Sequence, residues 1–263
     1  MIFKEQLNKI IHGDCIEILK SFPDNYFDLI FADPPYNLQL PKNRKLLREN
    51  GTEVIPVNDE WDQFENYEDY DSFTKNWLKE CQRVLKLTGT IWVMGMYHNI
   101  FRIGKIMQDL GLWFLNDVIW VKIDAMPNFK ERRFTNNHET LIWAVKNKNC
   151  KSYNFNNEFL KKMNGGKQMK DTDWLFSICR GRERLRDKDG IKLHSTQKPL
   201  KLIQQVLLTA SKKGDLILDP FMGSGTTAVV AQALRRKWIG VEKEEKYVNL
   251  ANSRIKQYSR KMV

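Results

Sequence analysis

The sequence predicts an α/β protein built on a doubly wound, Rossmann-like sheet of mainly parallel strands. Two observations support this: short apolar runs end in turn residues, and helical stretches alternate with them. Tyr26–Ala32 is apolar and stops at Asp33-Pro34-Pro35, whereas Asp215–Asp219 is apolar and stops at Pro220. Runs of this kind fit buried parallel strands, and their alternation with helices fits a sheet covered on both faces.

The other elements follow the same alternation. Further strands are predicted at Lys9–Ile11, Thr90–Met94, Asp117–Val121, Thr140–Val145 and Trp238–Val241. Helices are predicted at Tyr67–Leu87, Asn99–Leu110, Pro199–Ser211, Thr226–Leu234 and Glu244–Tyr258. The last strand–helix–strand unit lies close to the end of the sequence and cannot form a sheet alone. Earlier residues must supply its neighbours, so the motif order is permuted relative to an ordinary nucleotide-binding domain.

Two polar regions interrupt the alternation. Residues 39–63 have few periodic signals and are interpreted as a long loop. Residues 146–193 are basic, weakly periodic and contain Asn164-Gly165-Gly166. Irregular insertions of this length in a compact domain usually carry function. We therefore interpret residues 1–263 as a single domain with a functional insertion at 146–193.

Charge is distributed unevenly along the 263 residues, whose formal net charge is +11. Residues 1–120 contain 13 Lys and Arg against 18 Asp and Glu, whereas residues 121–263 contain 30 against 14. This asymmetry indicates that the second half faces a polyanion, although surface charge that serves solubility is the simpler alternative.

The composition also excludes several classes of protein. The longest apolar runs are far too short to span a bilayer, and the N-terminus lacks the features of a signal peptide. The four cysteines form no C-x-x-C pair and have no histidine at zinc-ligand spacing. We therefore expect a cytoplasmic protein with free thiols, no structural metal and no membrane partner.

A glycine loop follows the predicted strand at Asp215–Asp219. Gly223 and Gly225 allow a tight turn and close approach of a ligand, and Glu242 at the end of the next strand can accept hydrogen bonds from a ribose. The G-x-G-x-x-A spacing also fits a nicotinamide cofactor. Asp219 favours S-adenosylmethionine instead, because its carboxylate can meet an ammonium group but would repel a pyrophosphate.

The motif Asp33-Pro34-Pro35-Tyr36 follows the other buried strand and is more specific. Two consecutive prolines remove two backbone donors, which leaves a carboxylate, carbonyl oxygens and an aromatic ring at the strand end. Asp33 and the Pro34 carbonyl can accept the two N–H groups of a base amine and free its lone pair for attack on a methyl group. Tyr36 can stack on a base taken out of the duplex.

The order of these two motifs resembles the β group of DNA amino-methyltransferases. Seven segments resemble, more narrowly, the cell-cycle-regulated bacterial adenine methyltransferases and HinfI-type methyltransferases, which modify adenine in GANTC. They are Ile11–Ile16, Asp33–Leu40, Trp61–Phe64, Tyr97–Arg102, Met126–Lys130, His138–Trp143 and Thr196–Pro199. The similarity covers about residues 9–258. It implies a methyltransferase fold with S-adenosylmethionine as cofactor and double-stranded DNA as substrate, and a homodimer and a cognate restriction endonuclease are further expectations.

The resemblance also implies roles for individual residues. Asp14 and Cys15 would contact the cofactor adenine, whereas Thr196, Gln197 and Lys198 would lie near its methionine end, with Lys198 as a partner for the carboxylate. The complete set of predicted cofactor residues is Asp14, Cys15, Thr196, Gln197, Lys198, Asp219, Phe221, Gly223, Ser224, Gly225, Thr226 and Glu242. The family members carry a further C-terminal segment implicated in DNA engagement, whereas this sequence ends at Val263.

Basic residues cluster in the region where the family places target recognition. The predicted DNA-binding residues are Lys130, Arg132, Arg133, Arg180, Arg182, Arg184 and Arg186. Such side chains would contact phosphates or guanine edges, although a solvated charged face remains the alternative. The long loop at 39–63 is expected on the DNA side, and the insertion at 146–193 is expected to recognise the target.

Three alternatives remain open. The exocyclic amine of cytosine requires nearly the same chemistry as that of adenine. A nicotinamide-dependent dehydrogenase would explain the glycine loop but leaves Asp33-Pro34-Pro35-Tyr36 unexplained. A catalytically silent DNA-binding protein would not need Asp33, Tyr36 and Asp219. Methylation of the cytosine ring carbon is excluded, because that reaction needs a cysteine nucleophile that usually follows a proline, and no cysteine here does.

Overall fold

The computed structural model describes residues 5–38, 46–47, 53–54, 59–126, 132–168 and 171–261. Ten strands lie in these ranges: β1 Lys9–His12, β2 Phe27–Ala32, β3 Leu46–Leu47, β4 Glu53–Val54, β5 Leu85–Gly95, β6 Trp113–Lys122, β7 His138–Val145, β8 Asp173–Phe176, β9 Leu216–Asp219 and β10 Lys237–Glu242. The α-helices are α1 Cys15–Lys20, α2 Tyr67–Val84, α3 Ile100–Asp109, α4 Asn157–Met163, α5 Leu200–Ala210, α6 Thr226–Ala233 and α7 Glu245–Lys261.

Eight strands form one sheet in the order β1-β10-β9-β2-β5-β7-β6-β8. All neighbours are parallel except at β7, which runs antiparallel to both β5 and β6. The late strand β9 pairs with the early strand β2, with Leu29 opposite Ile217 and Ile30 opposite Leu218. The predicted doubly wound sheet and its permuted order are therefore confirmed.

Side chains of the central strands alternate between two apolar layers, as the pleat of a strand requires. In β2, Ile30 and Ala32 pack with Trp77 of α2 and Ile103 of α3. Leu29 and Phe31 face the other layer, which contains residues of α5 and α6. The central strands are buried on both faces for this reason, and their sequence reads as a continuous apolar run.

Several predicted boundaries are wrong. The helix predicted to reach Leu87 ends at Val84, because Leu85 already pairs with Phe27 as the first residue of β5. Helix α1 was not predicted, although Asp14 caps it by accepting hydrogen bonds from the N–H groups of Ile16 and Glu17.

The polar region 146–193 is more regular than the sequence suggested. It contributes α4 and β8, and β8 extends the main sheet by pairing with β6. In the loop at 39–63, the described residues include the two-residue ladder of β3 and β4 and a short 3₁₀ helix at Glu60–Asp62. Among the described segments, every helix is too short or too polar to cross a membrane.

Close strand packing predicts a strong effect of substitution at Gly89 in β5. A Cβ atom there would lie 2.8 Å from the carbonyl oxygen of Asp28 and 3.0 Å from that of Phe27. Backbone of β2 would have to move, so we expect Gly89→Ala to lower the free energy of unfolding by about 1–3 kcal/mol. Urea unfolding followed by circular dichroism would measure the loss.

Gly104→Ala provides a matched control in α3. Its Cβ would meet only the end of the Ile142 side chain, at 3.3 Å. Alanine is favoured over glycine within helices by about 1 kcal/mol, so this variant should be at least as stable as the parent. Equal destabilisation by both substitutions would contradict the prediction.

Candidate active site

The candidate site lies where the connections from two neighbouring strands leave in opposite directions. β9 leads through α6 to β10 on one side, and β2 leads through α2 to β5 on the other. A crevice forms at the carboxyl ends of strands that diverge in this way, and α/β proteins bind ligands there. Asp219 ends β9 and Asp33 follows β2, so both carboxylates reach the same crevice.

A cavity of about 280 Å³ fills this crevice. Eleven of the predicted cofactor residues line it: Asp14, Cys15, Thr196, Gln197, Lys198, Asp219, Phe221, Gly223, Ser224, Thr226 and Glu242. Gly225 lies outside the lining. Its φ of +78° suits glycine, and an added Cβ would lie 2.9 Å from Cβ of Ala251 in α7. Asp33 and Pro35 also line the cavity, whereas Pro34 and Tyr36 do not.

The glycine loop presents a carboxylate to the cavity. Glu242 accepts hydrogen bonds from the backbone N–H groups of Gly223, at 2.7 Å, and Glu244, at 2.8 Å. The Gly223 amide is therefore already occupied, although a phosphate would need it. Together with Asp219, this arrangement disfavours a dinucleotide pyrophosphate and is compatible with a ribose.

Asp219 is a buried carboxylate with no cationic partner among the residues that the structure describes. Its side chain accepts a hydrogen bond from the Phe221 N–H at 3.0 Å, and it forms no ion pair with any described lysine or arginine. Burial, helped by the charges of Asp33 and Glu242, raises the pKa of Asp219 to about 7. A cationic ligand would relieve this cost, so the site fits the ammonium and sulfonium charges of S-adenosylmethionine.

Asp14 and Cys15 lie together at the start of α1. Asp14 directs one oxygen to the helix N-terminus, and both residues line the cavity. Burial raises the pKa of the Cys15 thiol to about 12, so the thiol stays protonated and contributes only packing.

At the other end of the cavity, Asp33 takes part in a buried polar cluster. Its Oδ1 accepts a hydrogen bond from the Tyr36 hydroxyl at 2.9 Å, and its Oδ2 lies 2.6 Å from Nζ of Lys198. Lys198 Nζ also lies 5.1 Å from the centre of the Tyr36 ring. Tyr36 is 7% exposed. Lys198 lines the cavity and is engaged with Asp33, and its role beside the methionine carboxylate stays a prediction.

The backbone that follows the prolines is held by Asp62. Its carboxylate accepts hydrogen bonds from the N–H groups of Tyr36, at 2.5 Å, Asn37, at 2.9 Å, and Leu38, at 3.1 Å. Asn37 has a left-handed φ of +53°, which lets three successive amides converge on one side chain. Asp62 itself is 4% exposed.

The sequence interpretation gave no role to three residues of the site. Asp62 and Glu139 lay in segments that carried the family resemblance, but no spacing rule connects either with Tyr36. His194 packs on the glycine loop, where a Cβ at Gly223 would lie 2.8 Å from its Nε2. Burial and nearby Lys198 and Arg184 lower the pKa of His194 to about 3, so it is a neutral packing residue.

Gln197 has its amide group committed within the protein. Its Oε1 accepts from the Leu185 N–H at 2.9 Å, and its Nε2 donates to the Glu183 carbonyl at 2.7 Å. Thr226 similarly accepts a hydrogen bond from Arg254 at 2.9 Å. These residues shape the wall of the cavity and tie it to the segment around Glu183.

The predicted DNA-binding arginines differ in their surroundings. Arg132, Arg133, Arg182 and Arg186 are exposed, and Arg180 is exposed but forms an ion pair with Asp124 at 2.9 Å. Arg184 donates to the carbonyls of Cys179 and His194, which ties it to the protein interior. Lys130 lies outside the described residues, as does most of Met126–Lys130.

Comparisons with known proteins agree with the geometry. Residues 27–253 match the DNA methylase family N6_N4_Mtase. The chain is 52% identical over 251 residues to the Type II methyltransferase M.HinfI of Haemophilus influenzae, which covers 95% of this chain and 69% of that protein. It is 38% identical over 246 residues to the Type II methyltransferase M2.LlaDCHI of Lactococcus lactis subsp. cremoris, with coverages of 94% and 88%.

Solved structures show the same fold. The crystal structure of the M1.HpyAVI–SAM complex superposes with a TM-score of 0.69 at 25% identity and covers 94% of this chain and 98% of that one. The cytosine-N4-specific PvuII DNA methyltransferase superposes with a TM-score of 0.69 at 20% identity, with coverages of 96% and 91%. The chain therefore belongs to the DNA methylase family and is a DNA methyltransferase of the N6/N4 type that uses S-adenosylmethionine.

Proposed function

We propose that this enzyme methylates N6 of adenine in double-stranded DNA, in the sequence GANTC. The observation that carries the reaction is the meeting of Asp33 and Asp219 in one cavity at the adjoining ends of β2 and β9. One carboxylate faces a base amine and the other a cationic cofactor, so the reacting groups are held side by side. The resemblance to HinfI-type enzymes and the 52% identity with M.HinfI support adenine and GANTC.

S-adenosylmethionine supplies the electrophilic methyl group when bound. Asp219 holds the ammonium end, Glu242 accepts hydrogen bonds from the ribose, and Asp14 lies at the adenine end. Asp33 and the Pro34 carbonyl accept the N–H groups of the target amine, which orients its lone pair. Tyr36 stacks on the flipped base. The target amine is the nucleophile, so no covalent enzyme intermediate forms.

An exposed surface next to Asp33 supports DNA contact. β7 runs antiparallel to β5, so the start of β7 and the end of β5 meet at the edge of the sheet that carries Asp33. Here Arg133 donates to the Tyr97 hydroxyl at 2.7 Å, and the neighbouring Phe134 is 98% exposed. Guanidinium and aromatic groups of this kind suit phosphates and unstacked bases. The proposed DNA-facing residues further along the chain are Arg180, Arg182 and Arg186.

Further expectations belong to the same proposal. The insertion at 146–193 would recognise the target, and the loop at 39–63 would lie against DNA. The Type II names of M.HinfI and M2.LlaDCHI support a cognate restriction endonuclease as partner. A homodimer stays a prediction, which sedimentation velocity would check.

The reaction is tested with labelled S-adenosylmethionine and duplexes that contain GANTC or a scrambled site. After digestion to nucleosides, we expect label in N6-methyladenine with the GANTC duplex alone. Asp33→Asn should reduce the rate by a factor on the order of 100 or more, because a developing positive charge loses its carboxylate. Label in N4-methylcytosine would show that the target base is cytosine and not adenine. Equal label on both duplexes would refute GANTC as the recognition sequence.

Binding of S-adenosylmethionine should depend on pH through Asp219. Its pKa of about 7 in the free protein means that the carboxyl is protonated below pH 7. Pairing with an ammonium group favours the ionised form, so binding below pH 7 must release the proton. We expect affinity to rise by up to about tenfold per pH unit until pH 7 and then to level off. Isothermal titration calorimetry would measure both the affinity and the released proton.

The Asp219→Asn variant should bind S-adenosylmethionine more weakly than the parent, and its affinity should change far less with pH below pH 7. Asp28→Asn is the matched control, because Asp28 lies at the opposite end of β2 and pairs there with Lys86 at 2.6 Å. That variant should keep the pH dependence of the parent. Persistence of the full dependence in Asp219→Asn would show that the ammonium group lies elsewhere.

A further inference from the structure

A second buried carboxylate stands behind the candidate catalytic group. Glu139, the second residue of β7, is 8% exposed and does not line the cavity. Its Oε1 lies 2.7 Å from Nζ of Lys122, and its Oε2 accepts a hydrogen bond from the Tyr36 hydroxyl at 2.8 Å. Glu139 therefore acts on the cavity through its neighbours Tyr36 and Lys198.

The Tyr36 hydroxyl lies between two carboxylates. It is 2.9 Å from Oδ1 of Asp33 and 2.8 Å from Oε2 of Glu139. A phenol has one proton, so it can donate to only one of them at a time. The Lys198 ammonium lies in a similar position, 2.6 Å from Asp33 and 4.0 Å from Glu139. Glu139 thus competes with Asp33, the proposed acceptor for the base amine, for the Tyr36 hydroxyl and the Lys198 ammonium.

We propose that Glu139 is a positioning residue for methyl transfer, which draws the Tyr36 hydroxyl and part of the Lys198 charge away from Asp33. This inference rests on the proposed role of Asp33. When the Tyr36 proton points to Glu139, Oδ1 of Asp33 keeps an acceptor site for the base amine. Without the Glu139 carboxylate, the Tyr36 hydroxyl would donate to Oδ1 of Asp33 while Lys198 stays on Oδ2, which leaves Asp33 fewer acceptor sites and less negative charge for the base amine.

The charges around the cluster support this division of roles. Burial would raise the pKa of Glu139, but Lys198 and Lys122 outweigh it and lower that pKa, so Glu139 stays ionised. Burial raises the pKa of Asp33 despite Lys198, and the negative charge of Glu139 raises it further. Asp219 also faces Asp33 across the cavity. An ionised Glu139 therefore makes Asp33 a stronger acceptor.

The main test is Glu139→Gln, measured by single-turnover methylation of DNA together with calorimetric binding of S-adenosylmethionine. We expect the rate to fall by a factor on the order of 10 to 100, with unchanged cofactor affinity. The acid limb of the pH–rate profile should move to lower pH, because loss of a nearby negative charge lowers the pKa of Asp33. A residue that only supports folding would leave that limb in place.

A double-mutant cycle with Tyr36→Phe tests the route of the effect. If Glu139 acts through the hydroxyl, Glu139→Gln should cost much less in the Tyr36→Phe background than in the parent. Glu80→Gln is the matched control, since Glu80 is a partly buried glutamate that pairs with Arg83 at 2.8 Å in α2. It should leave both the rate and the acid limb unchanged.

Lys122→Gln offers a second variant that leaves Glu139 in place. Loss of this lysine raises the pKa of Glu139, so the rate should fall at low pH and recover as pH rises. Rates equal to the parent's in both Glu139→Gln and Lys122→Gln would overturn the inference. So would fully additive rate losses in the cycle of Glu139→Gln with Tyr36→Phe, together with an acid limb that does not move. A parent enzyme that methylates no DNA would instead overturn the proposed function, which keeps the two failures distinct.

Discussion

Pairing of β9 with β2 is the constraint on which the rest of the molecule depends. Only two residues of each strand are in register, Leu29 with Ile217 and Ile30 with Leu218, yet this contact joins strands β1, β10 and β9 to the other five strands of the sheet. It also brings Asp219 and Asp33 to one edge. Since the crossover helices leave this pair in opposite directions, none of the described helices covers the strand ends, and a cavity remains there.

The cavity contains more acidic than basic groups. The negative charge is compensated differently at its two ends. At the Asp33 end, Lys198 and Lys122 are buried with the acids, so charge is balanced within the protein. At the Asp219 end, backbone and side-chain donors stabilise the carboxylates, but no described lysine or arginine forms an ion pair with Asp219. Burying an unpaired carboxylate is costly, so this end of the cavity suits a ligand that carries a positive charge.

The sequence predicted the sheet because its central strands are buried on both faces and give strong apolar runs. Strand ends in a parallel sheet share one edge, which is why Asp33 and Asp219 were expected together, whereas Asp14, Cys15 and Thr196–Lys198 were expected there from the family resemblance. Edge elements were harder: β8 has a mixed burial pattern, and α4 has seven residues, so neither gives a clear period. The contacts of Glu139 and Asp62 join residues 103 and 26 positions from Tyr36, and local patterns carry no information about such distances.

Asp62 joins two parts of the chain that lie 26 positions apart. Its carboxylate is buried and accepts hydrogen bonds from the N–H groups of Tyr36, Asn37 and Leu38. One side chain thus satisfies three successive backbone donors at the point where the chain leaves the Asp33-Pro34-Pro35 motif. The placement of the Tyr36 ring therefore depends on a residue outside the motif, and a change at Asp62 would reach the Asp33 cluster without altering any member of it.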